Sequence, residues 1–143
     1  MTTALATTKT DRRMQVLAWL LGAAHLVFGA TKLAGLPVMA EQFRAWELPP
    51  YFMTFVGVAQ VLGGAGFFIR NLRLPSSFAM GLVMIGATVT VLASGHERAN
   101  APLTLVLAGL CFAVAFHRLT QFAREFVADE NAKKEHAGSA AAA

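Results

Sequence analysis

Three polar residues, His25, Lys32 and Gln60, lie inside otherwise apolar stretches of the sequence. Imidazole, ammonium and amide groups can all form hydrogen bonds to a small ligand, and an ammonium group donates strongly to a carbonyl oxygen where the dielectric constant is low. A charged side chain at the centre of a bilayer costs about 2.5–3.5 kcal/mol, so its presence calls for a reason. We therefore predict that these three residues form a ligand-binding pocket.

The small residues around them indicate how the pocket is built. On one helical face, within an arc of about 80°, the first stretch carries Gly22, His25, Gly29 and Lys32. Gln60 likewise has glycines on its own side. Small residues let helices approach closely, so we expect these faces to point into the bundle. His25 and Gln60 both lie near the middle of their spans, and we therefore expect them at similar depth on adjacent helices. A hydrogen bond between them would contribute about 1 kcal/mol.

Two of these residues also have a purely structural interpretation. Lys32 lies near the end of its stretch, where its ammonium group could extend to the headgroups or pair with Glu41 or Glu47. His25 could be a neutral, buried imidazole that is hydrogen-bonded to a neighbour. The sequence leaves both interpretations open.

Four apolar stretches must hold these residues, namely 14–33, 52–69, 75–93 and 101–116. At roughly 1.5 Å of helical rise per residue, each is about 24–30 Å long, close to the ~30 Å hydrocarbon core of a bilayer. Lipid offers the backbone no hydrogen-bond partner, and continuous apolarity does not fit the alternating pattern of a barrel, so each stretch is predicted to be a helix. The predicted fold is an all-α integral membrane protein, an antiparallel bundle of four transmembrane helices.

Composition and charge support one membrane domain, residues 14–122, between an amino-terminal tail, 1–13, and a carboxyl-terminal tail, 123–143. Hydrophobic residues make up 56% of the sequence and charged residues only 14%, well below the quarter of an ordinary soluble domain. From about Ala128 onward the chain lacks apolar periodicity, and we expect this tail to be disordered.

The connection between the first two spans has a helical pattern of its own. Met39, Phe43 and Trp46 recur at helical spacing, and a Pro-Pro pair follows at 49–50. An apolar stripe with a tryptophan is typical of a helix that lies at the level of the headgroups. We predict a short interfacial helix here.

The basic residues predict the orientation. Nine Lys and Arg residues lie on the side of both termini and the second connection, against Lys32, Arg44 and Arg98 on the other side. Since basic residues concentrate on the cytoplasmic side, we predict a multi-pass protein of the cell membrane with both termini in the cytoplasm. The basic residues form small groups at span ends and no continuous stripe, so we do not expect a nucleic-acid partner.

The sequence contains no familiar motif for a soluble enzyme or a redox centre. It has no CxxC, HExxH, glycine-rich phosphate loop or recognisable Ser-His-Asp set, and its one cysteine, Cys111, lies within the fourth span. We therefore expect no metal site, no tightly held cofactor, no catalytic residue and no enzymatic activity of the chain on its own.

Three segments together resemble the DoxX-like family of small four-span membrane proteins: FGATKL at 28–33, FRAWELPP at 43–50 and VGVAQVLGG at 56–64. The resemblance extends over about residues 13–118. The family commonly has a glutamate at the position of Gln60 and often a histidine at that of Val91. Both departures remove an ionisable group, and Lys32 alone carries over unchanged.

The resemblance implies a non-catalytic accessory or anchor subunit of a quinone-linked redox or stress-response complex. A redox protein would be the partner, and a quinone could bind weakly near Lys32. The alternatives are a membrane scaffold or assembly chaperone without a redox role, and a small transporter. A transporter built from inverted repeats would show matching helix breaks in its two halves, and the sequence does not show them. A homo-oligomer is left open.

Overall fold

The structure is a computed structural model that describes residues 9–95 and 98–141. It contains five α-helices: α1 (Lys9–Leu33), α2 (Pro37–Ala45), α3 (Pro50–Gly66), α4 (Arg73–Ser94) and α5 (Ala101–Ala141). A 3-10 turn, Arg98–Asn100, precedes α5. All elements in the described ranges are helical, which confirms the all-α prediction.

In the part of the chain that the structure describes, three helical segments are long and apolar enough to cross a membrane: α1, α4 and Arg98–Lys134. The second predicted span, 52–69, is a shorter helix than the apolar sequence suggests. α3 has 17 residues and ends at Gly66, where the amide groups of Phe67, Phe68 and Ile69 turn to carbonyls three residues back. The apolar residues 67–69 therefore belong to the turn between α3 and α4. The sequence-based boundary differs because hydrophobicity alone does not mark where a helix ends.

Two glycine pairs bring α1 and α3 into backbone contact. A methyl group added at Gly22 would lie 2.9 Å from the carbonyl oxygen of Gly64, and one added at Gly29 would lie 2.8 Å from that of Gly57. The paired glycines are seven residues apart on each helix, so they recur after two turns on the facing surfaces of antiparallel helices. Because no side chain separates the backbones at these points, the glycines fix the register of α1 against α3.

The second antiparallel pair consists of α4 and α5. The hydroxyl groups of Thr88 and Thr104 lie 2.7 Å apart across this interface, and Gly81 packs against the ring of Phe112. The two helix pairs meet in one apolar cluster to which α1, the α3–α4 turn, α4 and α5 all contribute, namely Ala18, Leu21, Phe67, Met80, Cys111 and Val114. The interior of the bundle is thus centred in the half that contains this turn.

The helix predicted between the first two spans is present as α2. Phe43 is buried, its ring centroid lies 5.4 Å from that of Trp46, and Glu41 and Arg44 are exposed, as the amphipathic pattern requires. Two residues after the end of α2, Glu47 has a φ of 56°, in the left-handed region that residues with a side chain disfavour. Its interfacial location stays a prediction.

Helix α5 continues without interruption through the predicted domain boundary at residue 122 to Ala141. The segment that we expected to lack structure, from about Ala128, is thus helical in this structure. Alanine, glutamate and lysine favour helices, and side-chain pairs one turn apart link Asp129 to Lys133 at 2.7 Å and Glu130 to Lys134 at 3.1 Å. Most of the predicted amino-terminal tail, residues 1–8, lies outside the described residues, as do 96–97 and 142–143.

Candidate functional site

Lys32 and Gln60 meet across the α1–α3 interface. The Lys32 Nζ donates a hydrogen bond of 2.9 Å to the Gln60 Oε1, and Gln60 is only 3% exposed. Nζ also lies 3.4 Å from the carbonyl oxygen of Phe28 and 5.8 Å from the centroid of its ring. A hydrogen bond with one charged partner is roughly twice as strong as a neutral one, so this contact is the strongest polar link between the two helices.

The Lys32 side chain does not extend outward to the headgroups, as the structural interpretation of the sequence supposed. Side chains on a helix lean toward its amino terminus, and Lys32 lies in the last turn of α1. Its ammonium group therefore extends back along α1 toward the middle of the bundle. Among the described residues no carboxylate lies within ion-pair distance of Lys32, so the expected pairing with Glu41 or Glu47 is not formed.

His25 is buried but does not contact Gln60 through a hydrogen bond. Its Nδ1 lies 2.8 Å from the carbonyl oxygen of Leu21, and its ring stacks on Phe67 with centroids 5.9 Å apart. Because a carbonyl oxygen only accepts, Nδ1 must carry a proton, and in a neutral imidazole Nε2 is then an acceptor. No partner for Nε2 exists in the described part of the chain. The predicted hydrogen bond between His25 and Gln60 is wrong. His25 bonds to the carbonyl oxygen of Leu21, and Gln60 accepts from Lys32.

The structure therefore unites two of the three predicted site residues and sets the third apart. Lys32 and Gln60 form a donor and acceptor pair between α1 and α3. His25 lies on the same face of α1, seven residues earlier, and turns its ring toward Phe67 in the apolar interior. We refer to Lys32 and Gln60 as the α1–α3 polar pair.

A polar network at the opposite end of α1 was not foreseen from the sequence. Gln121 donates a hydrogen bond of 2.8 Å to Asp11, whose carboxylate also lies 3.2 Å from His117 Nε2. These contacts join the first turn of α1 to α5 across more than a hundred residues of sequence. No local pattern signals a contact of that range, because it depends on how the helices are arranged in space.

Metal binding by the described residues depends on how their ligand side chains are grouped. No group of three or more His, Cys, Asp or Glu side chains is arranged to hold a metal ion there. Cys111 is fully buried in the apolar cluster between the helix pairs. The arrangement can therefore bind a polar group of a ligand through Lys32.

Comparison with known proteins gives one family. A family model described as the DoxX-like family matches residues 16–114, which include all three predicted site residues and most of the described helical bundle. No curated protein and no solved structure matches the chain significantly.

Proposed function

Because this chain belongs to the DoxX-like family of membrane proteins, we propose that it is a non-catalytic accessory or anchor subunit of a quinone-linked redox or stress-response complex. The observation that carries the proposal is the α1–α3 polar pair, in which an ammonium group is directed inward between two apolar helices. A lysine that served only to anchor the helix end would gain more by extending to the headgroups.

The proposed membrane arrangement has four spans, with α3 as the fourth crossing segment. Its 17 residues are about 25 Å long, a little less than the hydrocarbon core. The two glycine pairs hold α3 against α1 at two points about 10 Å apart along the helix, so the two helices share the same depth. α2 would then lie at the interface on the side of Lys32, and the distribution of basic residues supports a cytoplasmic location for both termini.

The ligand that fits Lys32 is an apolar molecule with a carbonyl oxygen, and a quinone has this chemistry. The ammonium group has three protons, of which one is donated to Gln60 and a second faces the more distant carbonyl of Phe28. The third can donate to a ligand oxygen. Lys32 is only partly buried, which leaves part of its side chain accessible to a ligand.

An accessory role fits the residues better than catalysis does. Gln60 holds the ammonium group without neutralising it, and an amide cannot exchange a proton near neutral pH as a carboxylate can. The sequence has no motif for a flavin, haem or iron–sulfur cluster, so electrons would have to come from a partner protein.

The experiment is the titration of a quinone analogue into the purified protein in mild detergent. Lys32→Met should weaken binding by about tenfold or more, since a hydrogen bond to a charged group contributes about 1.5–3 kcal/mol. The matched control is Thr31→Val, which changes the adjacent residue, whose hydroxyl group bonds only to the carbonyl of Phe28. This control should bind as the unmodified chain does.

Two results would contradict the proposal at different levels. Unchanged affinity in Lys32→Met would exclude the site while leaving the accessory role open to other evidence. Visible cofactor absorbance in the isolated chain, or quinone reduction by it, would exclude the non-catalytic role.

A further inference from the structure

The end of the bundle at which α3 turns into α4 carries a marked excess of positive charge. We call it the basic end, and it comprises the segments 9–13, 70–73 and 117–125. These segments contain seven Lys and Arg residues and two acidic residues, Asp11 and Glu125. Dispersed basic residues are the ordinary signature of a cytoplasmic face, so the excess alone does not define a site.

Two arginines at the basic end, Arg73 and Arg118, form no ion pair with any of the described carboxylates. The Arg73 side chain reaches the carbonyl oxygen of Phe67, and Phe67 belongs to the same buried cluster as Val114, which lies one helical turn before Arg118. Arg70 is neutralised by Glu125, at 2.9 Å.

Neutral contacts hold both of these guanidinium groups in place. The Arg73 Nε donates to the carbonyl oxygen of Phe67 at 2.9 Å, and the Arg118 Nη1 donates to the Gln121 Oε1 at 2.8 Å. Each contact uses one of the five N–H donors of a guanidinium group. Both guanidinium groups are thus partly buried, and among the described residues neither is in direct contact with a carboxylate, since Asp11 is linked to Arg118 only through Gln121.

The position of these groups indicates what would neutralise them. Arg73 is the first residue of a membrane-spanning helix, and Arg118 follows an apolar segment that ends at Phe116. Both therefore lie at the level of the lipid headgroups. The planar fork of a guanidinium group matches the paired oxygens of a phosphate, and basic pockets between transmembrane helices suit anionic headgroups.

We propose that Arg73 and Arg118 form a binding site for the phosphate group of an anionic phospholipid, between the start of α4 and the end of the membrane-spanning part of α5. The site is separate from the α1–α3 polar pair, which lies at the other end of α1, and it does not depend on the proposed function. An anionic lipid bound there would stabilise the junction of α1, α4 and α5 by neutralising the two arginines.

The test is a titration of phosphatidylglycerol into the delipidated full chain in non-ionic micelles, with phosphatidylcholine as reference. Binding is followed by the rise in melting temperature and by native mass spectrometry. Phosphatidylglycerol should raise the melting temperature and remain bound as a stoichiometric adduct, whereas phosphatidylcholine should do neither. Each arginine removed should weaken binding about fivefold, so Arg73→Gln with Arg118→Gln should weaken it about 25-fold.

Two further variants make the test specific. Arg44→Gln removes the same charge from the exposed face of α2, near the other end of the bundle, and should change affinity less than twofold. Glu125→Gln frees Arg70 from its ion pair and should strengthen binding. Arg118→Gln serves as the main single variant, and its melting temperature without lipid is measured as the baseline, because its partner Gln121 also bonds to Asp11 of α1.

Three outcomes would overturn the proposal. The first is an Arg118→Gln affinity within twofold of the unmodified chain. The second is an equal loss in Arg44→Gln, which would mean that the lipid responds only to overall charge. The third is equal stabilisation by millimolar inorganic phosphate that also displaces phosphatidylglycerol, which would assign the site to a free anion.

Discussion

The α1–α3 polar pair predicts that Lys32 and Gln60 contribute to stability as a unit. Gln60→Leu removes the side-chain acceptor that the Lys32 ammonium group has among the described residues, and Lys32→Met removes the donor to a buried amide oxygen. Both replacements keep the side-chain volume close to its original value. The loss in the double variant should therefore be smaller than the sum of the two single losses.

The structure sets the size of this effect. Hydrogen bonds between helices in a membrane protein contribute about 0.6 kcal/mol on average and at most about 1.7, and a charged donor places this bond in the upper part of that range. Lys32→Met also leaves the oxygen of Gln60 without its donor, at a cost of about 1–3 kcal/mol. We expect each single variant to lose about 2 kcal/mol and the double variant about 2–3 kcal/mol. The coupling energy is then about 1–2 kcal/mol.

The assay is thermal unfolding in one detergent at fixed protein concentration. At about 4 °C per kcal/mol for a domain of this size, each single variant should melt about 8 °C lower and the double variant about 10 °C lower. The control cycle combines Lys32→Met with Thr88→Val, which removes the hydroxyl contact to Thr104 between α4 and α5. These two losses should add to within about 0.5 kcal/mol, because the residues belong to different helix pairs.

Additive losses of Lys32→Met and Gln60→Leu would refute the reasoning, since they would mean that the two side chains do not meet. Equal coupling in the control cycle would also refute it, because the non-additivity would then reflect general loosening of the bundle.

Three further predictions follow from packing, burial and charge. Gly29→Ala should lose about 2 kcal/mol or more in thermal unfolding, because its methyl group would lie 2.8 Å from a backbone oxygen, whereas Gly86→Ala, with open space around it, should gain about 0.5–1 kcal/mol. His25→Leu should raise stability by about 1 kcal/mol in the same assay, because it removes a buried nitrogen that has no hydrogen-bond partner among the described residues; a clear loss of stability would contradict this. A cysteine placed at Ser139 should react with an impermeant label only from the cytoplasm and one at Asn100 only from outside, and labelling of both from one side would contradict the predicted orientation.

Much of the fold could be predicted from local sequence. Long apolar stretches in a chain of low charge require helices in lipid, and the glycine positions already indicated which face of α1 meets its neighbour. The amphipathic spacing around Phe43 predicted α2, which the structure contains. Sequence also selected Lys32 and Gln60 as site residues, since a polar group in an apolar stretch is conspicuous whatever its partner is.

Sequence by itself could not choose the partners. It paired His25 with Gln60 because both lie near mid-span, but that argument uses the depth of the backbone and neglects the length and direction of the side chains. Only the tertiary structure places Gly29 on Gly57 and Gly22 on Gly64, and this register brings the long Lys32 side chain, leaning back along α1, to the oxygen of Gln60. Hydrophobicity is a property of each residue and can be read locally. A contact between two helices depends on their rotation, register and separation together, and these are decided by the packing of the whole bundle.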